Sequence, residues 1–244
     1  MRNILITNDD GISAGGIIRL ARAAQAFGRV YVAAPEAQRS AASHSITLHG
    51  TIDVFRAEFP VPGVKAFACS GTPGDCVRLG CTVLLPEKPD AVLSGINFGY
   101  NAASDIQYSA TAGAAFEGAF QGCLAIAFSE GTNDHPEVAD HFLHGLLGEL
   151  LEEPADSSAI VNVNFPGCAL SECRGILRDR TVSHSMIFRD TYRTVETLAG
   201  GGTRYEVEGH YQEIAEPGTD LRALFDKYVS VGRVSNVGWA ASIR

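Results

Sequence analysis

Residues 5–11, LITNDDG, run from apolar side chains straight into an amide, two adjacent carboxylates and a glycine. Asp9 and Asp10 repel each other, by about 4 kcal/mol at ~4 Å and an effective dielectric near ~20, and a cation would remove that cost. Further hard donors follow two later apolar runs. Ser40, Ser43, His44 and Ser45 lie in PEAQRSAASHSITL, and Asn97 and Asn101 in GINFGYN. Carboxylate, hydroxyl and amide oxygens suit Mg²⁺, Mn²⁺ or Ca²⁺ rather than a thiolate-bound metal. SAT at 109–111 opens a helix of mostly small residues over 111–122. Its first N–H groups, its positive dipole end and the hydroxyls of Ser109 and Thr111 make an anion site of the kind phosphates use. A hard cation beside a phosphate cradle is the equipment of phosphoryl chemistry.

Each fragment alone has a plainer reading. DDG is also a turn with a helix cap, Gly95 and Gly99 are turn glycines, and His44 is a hydrogen-bonded loop residue. His141 and His144 stand three apart on an expected helix, a metal-compatible spacing, but no third ligand is placed beside them. Glu117, within an apolar helix, is either a caged charge or a solvent-facing residue.

Such groups meet only if strands and helices alternate. Asn3–Thr7 reads as a buried strand, residues 14–27 as a helix stopped by Gly28, and Val30–Ala34 as a second strand. VKAFACSG is a strand, and TPGDCVRLGCTVLL a helix with Thr72 as N-cap, Pro73 first and Asp75 near the third position. DAVLS is the next strand, then the 111–122 helix and LAIAFS. Asp134 and Pro136 open a helix with a Val138, Phe142, Leu146, Leu150 stripe, and AIVNVNF is the last core strand. Strands this apolar belong in a parallel sheet covered on both faces. The expectation is an α/β, doubly wound, mostly parallel sheet over residues 1–170, with ligands beyond the carboxyl ends of its strands. After about residue 170 the periodicity weakens. YRTVETLA and RYEVEGHY, separated by glycines 200–202, read as a hairpin within an extension over 171–244, a lid or a dimerisation arm.

The 244 residues carry a formal charge of -9, which disfavours a nucleic-acid duplex as partner because that requires clustered Lys and Arg. No apolar run approaches ~20 residues and the start does not read as a signal peptide, so a cytoplasmic protein without a membrane span is expected. The six cysteines form no CxxC pair and read as buried free thiols, with a Cys168–Cys173 disulfide as the alternative.

ILITNDDG, APEAQRSAASHSITL, SGTPGDCVRLG, DAVLSGINFGYN and YSATAGAAFEGA, in order and spacing, resemble the SurE family, the stationary-phase survival nucleotidases. PGTDLRALFDKYVSV (217–231) is a weaker echo. The resemblance implies a Rossmann-like fold and a metal-dependent phosphatase hydrolysing nucleoside 5′- and 3′-monophosphates. It also implies a homodimer or homotetramer built through the C-terminal arm. Transferred position by position, it implies one divalent cation per subunit (Mg²⁺ or Mn²⁺, with Ca²⁺ able to substitute in crystals) on Asp9, Asp10, Ser40 and Asn97. Asn8 and Asp9 take the catalytic positions, with Asp9 as ligand, base or nucleophile. Asn101, Ser109, Ala110 and Thr111 hold phosphate. Two departures stand out: Ala110 replaces the glycine of the family's Ser-Gly-Thr turn, and AASDIQ lacks the usual glycine before Tyr108. An alanine at 110 gives up easy access to positive φ and would tighten or shift the turn. Phe98, Tyr100 and Tyr108 are candidates for base stacking, with core packing the expected role of each.

Two other phosphate chemistries fit less well. A haloacid-dehalogenase-like phosphatase wants Asp-x-Asp after strand one and a later Lys; a receiver wants an acceptor Asp after its third strand. A non-catalytic metal and nucleotide sensor is the alternative from another class.

Overall fold

The structure, a computed structural model, describes residues 1–132 and 135–236. In chain order its elements are β1 (Arg2–Thr7), α1 (Gly15–Ala24), β2 (Gly28–Pro35), β3 (Val54–Ala57), β4 (Lys65–Cys69), α2 (Pro73–Leu79), β5 (Ala91–Phe98), α3 (Ala110–Phe120), β6 (Leu124–Glu130), α4 (Glu137–Leu150), β7 (Ala159–Phe165), β8 (Ile176–Leu177), β9 (Phe188–Thr197), β10 (Thr203–Tyr211), α5 (Asp220–Phe225) and β11 (Val229–Ser235). The sheet order is β3-β4-β2-β1-β5-β6-β7-β11-β8, and β9 pairs with β10 in a separate ribbon. From β4 to β7 every pairing is parallel.

Alternation along β1 shows why both faces must be covered. Ile4 and Ile6 pack with Ile17, Leu20, Leu93 and Leu146 in one cluster. Leu5 points the other way, to Tyr31, Val77 and Val92. Helices α1 and α4 pack together over the first face, and α2 and α3 over the second. The chain leaves β1 for β2 on one side, whereas β5 flanks β1 on the other. The crevice at the carboxyl ends of β1 and β5 is therefore the switch point where such sheets bind ligands.

Local signals explain most boundaries. Thr72 Oγ1 accepts from the Asp75 N–H at 3.1 Å and Asp75 Oδ2 from the Thr72 N–H at 3.0 Å, a reciprocal cap that starts α2 where the sequence places it. Val138, Leu146 and Leu150 of α4 are buried and Phe142 half-buried; Asp134, expected to open this helix, lies outside the described residues.

Other expectations need correction. Gly28 does not stop α1: Gln25 ends the helix and Gly28 begins β2, where a Cβ would lie 2.5 Å from the Arg2 carbonyl oxygen. β3, an antiparallel edge strand, was not anticipated. AIVNVNF is not the last core strand, because β11 returns antiparallel to β7 and takes β8 on its other side. The expected hairpin is present as β9 and β10, with Tyr192, Val195, Tyr205 and Val207 exposed. All six cysteines are free, including Cys168 and Cys173. No helix among the described residues is long and apolar enough to cross a membrane.

Candidate active site

β1 delivers Asp9 to the switch point with its side chain almost wholly buried. Thr111 Oγ1 donates to Asp9 Oδ1 at 2.8 Å, fixing the carboxylate against the first turn of α3. Asp10 is half-buried and accepts from the Phe98 N–H at 3.1 Å, which ties it to the end of β5. The Asp9 carbonyl accepts from the Arg39 N–H at 2.7 Å, docking the loop after β2. Gln38 then reaches Ser40 Oγ at 2.9 Å and Asp10 Oδ1 at 3.4 Å. Asn97 spends its amide N–H₂ on the Gly99 carbonyl at 2.8 Å, so its amide oxygen is the atom that could meet a cation.

Asp9, Ser40, Asn97, Asn101 and Ser109 line one cavity of ≈ 400 Å³. Five residues from four separate chain segments thus meet where the sequence expects them. Asp10 stands beside this wall through its bonds to Phe98 and Gln38. Asn8 does not line the cavity. It is fully buried, donates from Nδ2 to the Gly11 carbonyl at 2.9 Å, and so braces the acidic turn from beneath. Its Oδ1 is buried without a hydrogen-bond partner. Thr111 is not a free phosphate hydroxyl, since it is committed to Asp9.

Ser109 caps α3 by accepting from the Ala112 N–H at 3.0 Å. Helix geometry leaves the N–H groups of Ala110 and Thr111 without intrahelical partners. Asn101 is buried, and its backbone is held by two asparagines of β7. Asn164 Oδ1 accepts from the Asn101 N–H at 2.9 Å, and Asn162 donates to its carbonyl at 2.8 Å. Asn101 Nδ2 donates to Ser129 Oγ at 2.7 Å. Phe98 and Tyr108, expected in the core, are instead 57% and 60% exposed. With Tyr100, Met186 and Phe188 they form the apolar wall of the cavity.

The donor set fits a hard divalent cation: two carboxylates, a hydroxyl and an amide oxygen brought together at one end of the sheet from three chain segments. The charge acting on Asp9 comes from Asp10 rather than from a basic side chain. Among the described residues no three His, Cys, Asp or Glu side chains gather as a metal cluster, so His141 and His144 have no third ligand there.

The family model described as Survival protein SurE matches residues 4–193. The chain belongs to the SurE family. It is 38% identical over 235 residues to 5′-nucleotidase SurE of Synechococcus sp. (strain JA-3-3Ab), covering 94% of this chain and 90% of the relative. To 5′-nucleotidase SurE of Trichodesmium erythraeum (strain IMS101) it is 38% identical over 240 residues, covering 93% and 89%. The crystal structure of the SurE protein from Aquifex aeolicus superposes with a TM-score of 0.81 at 32% identity, covering 99% of this chain and 98% of that one.

The two departures from the SurE pattern resolve differently. Ala110 is the first residue of α3 after Ser109 at φ -70 and is not among the residues with positive φ. Alanine is a good helix former there, so no tightened turn results. Ala103, in AASDIQ, does adopt φ 52, a left-handed conformation that costs an alanine about 1–2 kcal/mol. Its N–H donates to buried Asp220 Oδ2 at 3.0 Å, a bond that holds the residue in place.

Gln38, Ser129, Asn162, Asn164, Met186 and Phe188 were missed from sequence. The one signal available was the i, i+2 asparagine pair inside an otherwise apolar strand, which puts both amides on one face.

Burial and the neighbouring Asp10 raise the pKa of Asp9 to about 6 despite the Thr111 hydrogen bond. The folded chain thus binds more protons than the unfolded chain between the ordinary value of 3.8 and about 6. In metal-free protein, stability should fall as pH rises through that window. Thermal melts in chelator at stepped pH should show this slope, and Asp9→Asn should flatten it. A wild-type profile already flat there would contradict the assignment.

Proposed function

We propose that this chain is a metal-dependent phosphomonoesterase that hydrolyses nucleoside 5′-monophosphates, and 3′-monophosphates as well, to nucleoside and phosphate. The carrying observation is the single cavity in which Asp9, Ser40, Asn97, Asn101 and Ser109 face an apolar wall. The relatives named 5′-nucleotidase SurE support the same reading.

Asp9, Asp10, Ser40 and Asn97 would hold one divalent cation, Mg²⁺ or Mn²⁺. When bound, it would supply Lewis-acid polarisation of the phosphoryl group and a more acidic water. The chain's own residues do the rest. Thr111 and the Phe98 N–H keep the two carboxylates aimed. The phosphate lies against Asn101 and Ser109, near the amide end of α3, where fixed dipoles meet the charge that develops on its oxygens. The base rests on the exposed faces of Phe98 and Tyr108. The exposed hairpin serves as the contact between subunits of a dimer or tetramer.

A panel of nucleoside monophosphates assayed for released phosphate with Mn²⁺ or Mg²⁺ tests the reading. Turnover of 5′-nucleotides, lost in chelator and restored by the metal, is the expected result. Tight binding with no turnover across the panel would replace it by a nucleotide sensor.

A further inference from the structure

We propose that Glu117 and His44 form a strap that holds the Ser40-bearing loop against the cavity, which makes both of them positioning residues for the reaction. The inference rests on the metal-dependent reading above. His44 Nε2 lies 3.0 Å from Glu117 Oε2, joining the loop after β2 to α3 over 73 residues of chain. Glu117 is buried on a helix of small residues, where an unpaired charge is costly and core packing has no use for one. Its other oxygen takes Gln121 Nε2 at 2.9 Å and faces Arg78 Nε at 3.8 Å. Burial pushes this carboxyl up, but the hydrogen bonds of His44 and Gln121 and the nearby charges outweigh it and hold it below its usual value.

The loop needs such an anchor. Ala41 and Ser43 both adopt left-handed φ, 56 and 53, which side chains other than glycine resist. Ser43 spans to the turn before α3, its N–H donating to the Tyr108 carbonyl at 3.0 Å and its Oγ to the Gln107 carbonyl at 2.6 Å. At Gly113 the loop backbone lies directly on α3, since a Cβ there would be 2.8 Å from Ser43 O and His44 Cα. One helical turn further on, Glu117 takes the His44 ring. The ring does not reach the reacting groups. It lines a separate cavity of ≈ 130 Å³ that shares only Ser109 with the candidate active site.

The test uses the full chain stripped of metal, with two readouts: Mn²⁺ affinity by calorimetry and trypsin cleavage after Arg39. His44→Ala and Glu117→Ala should each weaken Mn²⁺ binding by about 10- to 100-fold, the usual cost of losing a partner that orients a ligand. The double variant should lose no more than either single one, because both remove the same link. Glu117→Gln, which can still accept from the imidazole, should stay within about threefold of wild type. Gln121→Ala, which touches Glu117 from its own helix, should bind as wild type does. Cleavage after Arg39 should rise in both alanine variants and stay low in the glutamine variant. Wild-type Mn²⁺ affinity in His44→Ala, additive losses, or unchanged cleavage would overturn the strap. A wild-type chain that binds no Mn²⁺ while the alanine variants still gain cleavage would overturn the metal reading and leave the strap standing.

Discussion

Asp10→Asn should cut Mn²⁺ affinity and phosphate release together by about 10³-fold, while the metal-free variant melts higher than the metal-free wild type. Asp10 and Asp9 are adjacent carboxylates at the end of β1, and Asp10 raises the pKa of Asp9 through its charge. Asparagine keeps an oxygen to accept from the Phe98 N–H, so the local backbone link survives and the charge alone is removed. A cation loses one of its two anionic ligands. About 4 kcal/mol of lost attraction corresponds to ~10³ in affinity or rate, at 1.36 kcal/mol per factor of ten. The stability change has the opposite sign, because a like-charge contact disappears. For a chain of this size ~1 kcal/mol moves the melting temperature by about 2–4 °C. A melt in chelator and a phosphate assay with Mn²⁺, run on one preparation, check both halves. Full activity of the variant in Mn²⁺ would refute the ligand assignment. This combination of signs separates a functional charge from a structural one, whose loss lowers stability and activity together.

Gly16→Ala should be the most damaging of the small substitutions near the site. A Cβ on Gly16 would sit 2.0 Å from the Ile96 carbonyl oxygen and 2.9 Å from its carbon. Both are backbone atoms of β5, so no rotamer change relieves the clash. Either α1 lifts from the sheet or the end of β5 moves, and Asn97 is the next residue along that strand. Overpacking of this kind typically costs about 1–3 kcal/mol, or roughly 2–12 °C of melting temperature here. Mn²⁺ affinity should fall as well, because Asn97 is displaced. Gly15→Ala is the matched control. Nothing lies within 4 Å of its added Cβ, so at the first position of α1 alanine should leave the melting temperature and Mn²⁺ affinity at wild-type values or slightly above. A Gly16→Ala variant that melts with wild type would show that α1 and β5 have slack.

The contrast between those neighbours marks the limit of what was legible in the chain. Both stand at the start of the helix expected over 14–27, and the backbone that Gly16 alone faces is 80 residues away. Local chemistry read well: Thr72 and Asp75 close their cap within four residues, and the apolar runs placed the main parallel strands. Asp9, Ser40, Asn97, Asn101 and Ser109 converge because each ends or follows a strand or opens a helix, a rule that needs only element order. Pairings across the fold left weaker marks. The link between His44 and Glu117 joins a loop to a helix, and neither residue carries a local signature of the other. Phe98 and Tyr108 were assigned to the core on side-chain type, yet their strand-end and turn positions leave them in solvent. β11 was missed because it carries glycine and arginine mid-strand and three of its seven residues are not buried.

The return of β11 also makes the protruding hairpin a loop rather than a tail. Its feet are held together by the Gln212 N–H on the Ile187 carbonyl at 2.8 Å, and the chain beyond it is built into the sheet between β7 and β8. One peptide-bond cut at the glycine tip would divide the polypeptide into two pieces that stay interleaved as a single body. Neither piece could depart without opening the sheet.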